Sequence, residues 1–206
     1  MKKELIEYWQ KSGLVKDKQL IEAFKKTSRE NFIRKENRDE VYGDYPLPIG
    51  FGQTISQPTT VMLMIEALEL KKTDKVLEVG AGSGWCAAIM SRLAKKIITT
   101  EIIPGLVEFA KNNIKKCDIK NVEIVKWDGS QGYEKEAPYD KVMLTAACPS
   151  LPKPCIEQLK ENGIIIGPVG SLFGQDMIKG IKVKGILETE NLGSFMFVPL
   201  KGKYGY

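Results

Sequence analysis

Val76-Leu77-Glu78-Val79-Gly80-Ala81-Gly82-Ser83-Gly84-Trp85 decides the fold. A short apolar run enters three alternating glycines, and helix-forming residues follow. A glycine turn between a strand and a helix lets the backbone come close to a ligand. The spacing excludes two common phosphate binders. The dinucleotide fingerprint G-x-G-x-x-G would need a small residue where Trp85 stands, and no G-K-[ST] of a P-loop follows. The pattern is instead E-x-G-x-G-x-G, from Glu78 to Gly84. Taken alone, it is also compatible with a glycine-rich bend that binds nothing.

Downstream, strands and helices alternate. Lys75–Val79 reads as a strand, Trp85–Leu93 as a helix, Ile97–Glu101 as a strand and Gly105–Lys116 as a helix. Val122–Val125 and Tyr139–Thr145 read as strands, Pro154–Glu161 as a helix and Gly163–Gly167 as a further strand. Such alternation implies right-handed crossovers and an α/β, Rossmann-like, doubly wound, mostly parallel sheet. Two later runs, Met177–Val183 and Ser194–Leu200, are expected as antiparallel edge strands joined through Gly185 and Gly193. Upstream, Leu5, Ile6 and Trp9 share one helical face, and Leu20, Ile21 and Phe24 another. Gly13 separates these helices, and Asp17 suits the N-cap of the second. Residues 27–57 carry Gly43, Pro46, Pro48, Gly50 and Gly52, so a long ordered loop is expected there. Pro58 then opens a helix whose face holds Val61, Met64, Ile65 and Leu68. The reading is one domain over 1–206: helices and an active-site loop in 1–57, a ligand-binding core in 58–170 and edge strands in 171–206.

Composition narrows the chemistry. The 206 residues include no histidine. That removes Ser-His-Asp and Cys-His nucleophile pairs, imidazole general bases and imidazole metal sites. Cys86, Cys117, Cys148 and Cys155 form no C-x-x-C pair, so no metal is expected. Any reaction must need little proton shuttling or must draw its power from a cofactor. A chain of this length can bury roughly 70% of its unfolded surface, enough for a core without staples. With 43% hydrophobic and 28% charged residues the composition is globular. No signal-like start and no run near the roughly 18 apolar residues of a membrane helix is seen. Unpatterned cysteines then suggest a reducing, cytoplasmic setting. The net charge of +5 forms no stripe: residues 1–40 carry 11 basic and 8 acidic side chains, and 41–152 carry 13 of each. Neither nucleic acid nor a membrane is expected as a partner.

Two acidic residues extend the glycine-turn reading. Glu101 ends the second strand, 17 residues after Gly84, where a carboxylate can accept both hydroxyls of an adenosine ribose. Asp128, in Trp127-Asp128-Gly129, stands where a carboxylate could accept from an adenine amino group. Each has a plainer reading, a solvated strand end for Glu101 and an Asp-Gly turn for Asp128. Three such features at the ends of three successive strands are harder to obtain by chance than one. Together they resemble class I S-adenosylmethionine-dependent methyltransferases.

A more specific signal precedes the core: Gly43-Asp44-Tyr45-Pro46-Leu47-Pro48-Ile49-Gly50-Phe51-Gly52-Gln53-Thr54-Ile55-Ser56-Gln57-Pro58. This run strongly resembles the P-L-P-I-G-x-G-Q-T-I-S-Q-P segment of protein-L-isoaspartate (D-aspartate) O-methyltransferases. The resemblance covers nearly the whole chain. It takes in Glu22-Ala23-Phe24, Arg29-Glu30-Asn31-Phe32, Val76–Gly84, Asp128-Gly129-Ser130, Ala137-Pro138-Tyr139-Asp140, Thr145-Ala146-Ala147, Gly167-Pro168-Val169-Gly170 and Phe197-Val198-Pro199-Leu200.

The resemblance implies a protein-repair enzyme. It would methylate the α-carboxylate of L-isoaspartyl residues, and act on D-aspartyl ones, in damaged proteins, using S-adenosylmethionine and yielding S-adenosylhomocysteine. The ester then cyclises unaided to a succinimide, whose hydrolysis restores some normal aspartate. It also implies site residues. Ser56 is the active-site serine, and Gln53, Thr54 and Ile55 line the methionine end of the cofactor. Gly80, Ala81, Gly82, Ser83 and Gly84 wrap its amino-acid portion. Glu101 holds the ribose, and Asp128 with Gly129 the adenine end. Thr145, Ala146, Ala147, Val169 and Gly170, with Ser56, bind the substrate backbone. A monomer is expected. Trp85-Cys86, Trp127 and Thr59-Thr60 depart from the family pattern; Trp127 is read either as packing over the adenine or, like Trp85, as core volume. A methyltransferase of the same fold acting on RNA or a small molecule is the alternative, and a non-catalytic binding module a further one.

Overall fold

The computed structural model describes residues 1–206. Apolar periodicity sets the first elements. Helix α1 (Lys2–Ser12) buries Leu5, Ile6 and Trp9 and stops at Gly13, which adopts the left-handed φ of 69°. Helix α2 (Lys18–Lys26) is capped by Asp17, whose carboxylate accepts the Gln19 N–H at 2.7 Å. Phe24 is fully buried and meets Trp9, Tyr42 and Trp85 edge-on, with ring centroids 4.8, 6.3 and 6.1 Å away. This aromatic knot fastens the N-terminal helices to the core.

Residues 27–57 are more ordered than a loop. Two short 3₁₀ turns, Arg29–Asn31 and Lys35–Glu40, lead into a hairpin of β1 (Leu47–Gly50) and β2 (Gln53–Ile55). Phe51 and Gly52 turn it with φ of 55° and 70°, the geometry of a two-residue hairpin turn. The prolines and glycines that mark a loop in sequence are compatible here because both strands of a two-stranded ribbon are edges. The Phe51 ring lies against Gly105, where any Cβ would collide with it.

Helix α3 (Pro58–Leu68) begins at Pro58. The alternating core follows: β3 (Lys75–Val79), α4 (Trp85–Met90), β4 (Lys96–Glu101), α5 (Pro104–Lys116), β5 (Val122–Lys126), β6 (Tyr139–Leu144), α6 (Lys153–Glu157) and β7 (Leu159–Ser171). The chain ends in β8 (Gly174–Val183) and β9 (Ile186–Phe195). The sheet order is β5-β4-β3-β6-β7-β8-β9; the first five strands are parallel and β8 and β9 antiparallel to their neighbours. This is the expected Rossmann-like fold with an N-terminal helical extension. Strand residues alternate between two cores. Val76, Ile97, Met143, Ile164 and Ile166 face the side packed by α1 to α5, while Leu77, Ile98, Val142, Leu144 and Ile165 face α6 and the C-terminal segment. Both faces are covered, as a parallel sheet requires.

Several boundaries differ from the sequence reading: β7 runs Leu159–Ser171 rather than Gly163–Gly167, and β8 starts at Gly174 rather than Met177. Helix α4 stops at Met90, three residues early. Helix α6 ends at Glu157 rather than Glu161, because Leu159 already pairs with Tyr139 in the sheet. The last strand is Ile186–Phe195, not Ser194–Leu200. Its middle is polar on both faces, so no alternation announces it, and Gly193 sits inside it at φ 109°. Residues 198–200 instead cross the carboxyl ends of the sheet. Ala147 N–H donates to the Val198 carbonyl at 2.8 Å, and Leu200 N–H to that of Ala147 at 2.7 Å.

Phe24→Ala is expected to cost about 3–5 kcal/mol, the range for deleting a large buried ring. Urea unfolding followed by tryptophan fluorescence measures it, and the Trp85 environment should change with it.

Candidate active site

The chain reverses direction across the sheet at β3, with β4 on one side and β6 on the other. Open α/β sheets bind ligands at the carboxyl ends beside such a switch point. Here the ends of β3, β4 and β6, the residue after β5, the β2 hairpin strand and the 198–201 crossing line one cleft.

The glycine turn forms its floor. Gly80, Gly82 and Gly84 have φ of 100°, 52° and 83°. Gly80 and Ala81 N–H groups donate to the Thr100 carbonyl, both at 2.9 Å. The Thr145 hydroxyl donates to the Gly80 carbonyl at 2.6 Å, and a Cβ on Gly80 would lie 2.5 Å from that hydroxyl. Gly80, Ala81, Gly82 and Ser83 line the cleft; Gly84 lies beneath it, opening α4 against Ala110. Glu101 braces the turn, accepting Gly82 N–H at 2.9 Å and Ile103 N–H at 3.0 Å. Each of its oxygens keeps a lone pair for a further donor.

Gln53, Thr54, Ile55 and Ser56 approach from the hairpin side and line the same cleft. Ser56 is half-buried, and no side-chain base hydrogen-bonds its hydroxyl. Thr145 and Ala146 close the opposite wall. Ala147, Val169 and Gly170 stand behind it: Ala147 pairs with Pro199, Val169 with Cys148, and Gly170 N–H donates to the Cys148 carbonyl at 3.0 Å.

At the β5 end, Gly129 lines the cleft but Asp128 does not. The Asp128 carboxylate accepts Ser130 N–H and Oγ–H at 3.0 and 2.7 Å, Gln131 Nε2 at 3.1 Å and Lys203 N–H at 2.9 Å. Partial burial opposes its charge, yet the bonds from Ser130, Lys203 and Gln131 prevail and hold it below the ordinary carboxylate range. The Asp128 side chain thus ties its own loop to the C-terminus. Trp127 is no core residue. It lies half-exposed at the rim, edge-on to Tyr133 at 6.0 Å. Trp85, by contrast, is buried core that also lines the cleft.

Sequence reasoning gave no role to Glu78, Ile102 or Lys201, all of which line the cleft. Glu78 is the first residue of the E-x-G-x-G-x-G pattern, and that position was its one signal. Its carboxyl is fully buried, and neither oxygen has a hydrogen-bond partner in good geometry, although the Thr99 hydroxyl and Cys86 thiol lie close. Burial pushes it up to about 7. Burial likewise raises the Cys148 and Cys155 thiols to about 12, so neither is a nucleophile at neutral pH. No group of three or more Cys, Asp or Glu is placed to hold a metal ion.

The family model described as Protein-L-isoaspartate(D-aspartate) O-methyltransferase (PCMT) matches residues 1–205. This chain belongs to that family. It is 41% identical over 205 residues to the protein-L-isoaspartate O-methyltransferase of Methanoculleus marisnigri, covering 100% of this chain and 93% of the relative. Identity reaches 46% with protein-L-isoaspartate O-methyltransferase 2 of Archaeoglobus fulgidus, over 92% of this chain and 88% of that one. Among solved structures, a protein-L-isoaspartate O-methyltransferase superposes with a TM-score of 0.90 at 30% identity, covering 100% of this chain and 67% of its own. A Plasmodium falciparum family member, solved with S-adenosyl-L-homocysteine, superposes at 0.83 with 26% identity over 97% of each chain.

Glu78 gives a prediction about pH. The unfolded chain loses this proton near its ordinary value of 4.5, the folded chain near about 7. Between those values the folded state binds more protons, so stability falls as pH rises. The loss amounts to about 3 kcal/mol across this interval. With no histidine in the chain, no other side chain ordinarily titrates there. Thermal unfolding from pH 5 to 7.5 should therefore show a decline that Glu78→Gln abolishes.

Proposed function

We propose that this chain moves a methyl group from S-adenosylmethionine to the free α-carboxylate of L-isoaspartyl residues, and to the side-chain carboxylate of D-aspartyl ones, in damaged proteins. One observation carries the reading: the Gln53–Ser56 strand and the Gly80–Ser83 turn, far apart in sequence, line one cleft together with Glu101. The donor set suits the cofactor. Positive-φ glycines leave room for an amino-acid moiety, the buried Glu78 carboxylate lacks a partner, and Glu101 can accept ribose hydroxyls. Gly129 and Trp127 would border the adenine, with Asp128 shaping that loop. Ala147, Val169 and Gly170 would support the substrate backbone from behind Thr145 and Ala146.

When bound, S-adenosylmethionine supplies a methyl on a sulfonium that departs as a neutral thioether. The acceptor carboxylate is already ionised at pH 7, so no base is needed. The protein's task is orientation, which can supply ~7–11 kcal/mol of barrier reduction. Ser56 is proposed to donate a hydrogen bond to that carboxylate. No base stands ready to make it a nucleophile. We further propose that residues 1–206 act as one unit, as a monomer in the cytoplasm, without nucleic acid or membrane. No helix is long and apolar enough to cross a membrane, and all four cysteines are free.

The test is labelled-methyl transfer to a synthetic isoaspartyl peptide, with the normal aspartyl peptide and total RNA as controls. Label should enter only the first and leave it at raised pH; equal labelling of both peptides would refute the repair reading. Ser56→Ala should lower turnover with cofactor affinity nearly unchanged. Glu101→Ala should weaken cofactor binding by ~1.5–3 kcal/mol in calorimetry.

A further inference from the structure

Arg29 lies outside the cleft, and nothing in the reaction above calls on it. Its placement is nevertheless costly. It is fully buried, in the 3₁₀ turn after α2. No carboxylate lies within ion-pair distance; the Asp44 carboxylate, held by the Thr59 N–H at 2.9 Å and hydroxyl at 2.7 Å, favours the Arg29 charge from nearby without contacting it. Its nitrogens meet backbone carbonyls instead. Nη1 donates to Val41 at 2.6 Å, Nη2 donates to Ser56 at 2.9 Å, and Nε has no partner. The guanidinium lies 5.0 Å from the Trp85 ring centroid. Burial lowers its pKa to about 10, which leaves it charged at neutral pH.

Two of these contacts, Ser56 and Trp85, line the cleft. Arg29 therefore stands directly behind the wall that would meet the substrate carboxylate. Burying a cation without a counter-ion is unfavourable, and a neutral donor would hold carbonyls at less cost. Asp44 compensates that charge only from a distance, and an anion arriving on the far side of the wall would compensate it further.

We propose that Arg29 is a positioning residue of the methyl-transfer site: its fork fixes the Ser56 segment at the cleft, and its unpaired charge favours a carboxylate acceptor there. This rests on the reading of Ser56 as the substrate-facing group. The two functions separate by substitution. Lysine keeps the charge but cannot bridge two carbonyls with a planar fork. Methionine keeps apolar bulk and loses both.

Steady-state kinetics on the isoaspartyl peptide, with cofactor affinity by calorimetry, tests this in the full chain. Arg29→Met should raise the peptide KM about tenfold or more and lower kcat, as expected for removing a buried charge that acts on the carboxylate through one layer of protein. Cofactor affinity should stay within about twofold, since a positioning role reaches the acceptor side alone. Arg29→Lys should restore most of the KM but not the kcat. The proposal fails if Arg29→Met retains wild-type KM and kcat, or if cofactor affinity falls as far as peptide affinity. It also fails if lysine recovers KM no better than methionine. Should the methionine variant not fold, Arg29→Lys decides: a wild-type kcat overturns the fork, and a lowered kcat with near-native KM supports it. An inactive wild-type protein would instead overturn the isoaspartyl reading itself.

Discussion

A Cβ on Gly80 would lie 2.5 Å from the Thr145 hydroxyl, and this close approach governs how the molecule is built. The turn after β3 is held between the Thr100 carbonyl on β4 and the Thr145 hydroxyl after β6. Only a residue without a side chain, free to take φ 100°, fits there. Because the turn is pinned from both neighbouring strands, Glu101 can reach its Gly82 N–H, and the hairpin can settle above with Ile49 near Gly82. Floor, brace and lid of the cleft all follow from one backbone constraint at the switch point of the sheet.

The absence of histidine fits the chemistry that this cleft supports. Transfer between an ionised carboxylate and a sulfonium methyl moves no proton, so orientation carries the catalytic load. In place of acid–base machinery the protein buries two ionisable groups around the cleft. Glu78 lines the cleft and Arg29 stands behind its wall, and both are buried without an opposite charge in contact. Groups of this kind destabilise the unliganded protein and gain their partners from ligands.

The central fold was legible because its signals are local. Glycines at fixed spacing, alternating apolar strands and an acidic residue ending β4 each leave a mark within a few residues. The hairpin around Phe51 was hidden because proline and glycine have the same look in a loop and in a two-stranded ribbon. Strand β9 was hidden for a different reason: it lies at the sheet edge, exposed on both faces, and no period survives. The candidate site divided along similar lines. Glu101 and the serine strand converge where their positions suggested, but the four donors that occupy Asp128 include one from Lys203, a partner 75 residues away that no local pattern reveals. Arg29 was visible as part of a motif, yet its burial behind Ser56 depends on how α2 and the hairpin pack.

Strand β9 also bears on how such a protein survives its own work. It closes the sheet with an open row of backbone donors and acceptors, which is the usual template for unwanted strand pairing. Glu188 and Glu190 charge that edge, and the bulge opposite Asp176–Ile178, with Gly193 in a left-handed turn of the strand, interrupts its register. The polar, interrupted pattern that obscured β9 in the sequence is thus also what blunts this edge against pairing with other chains.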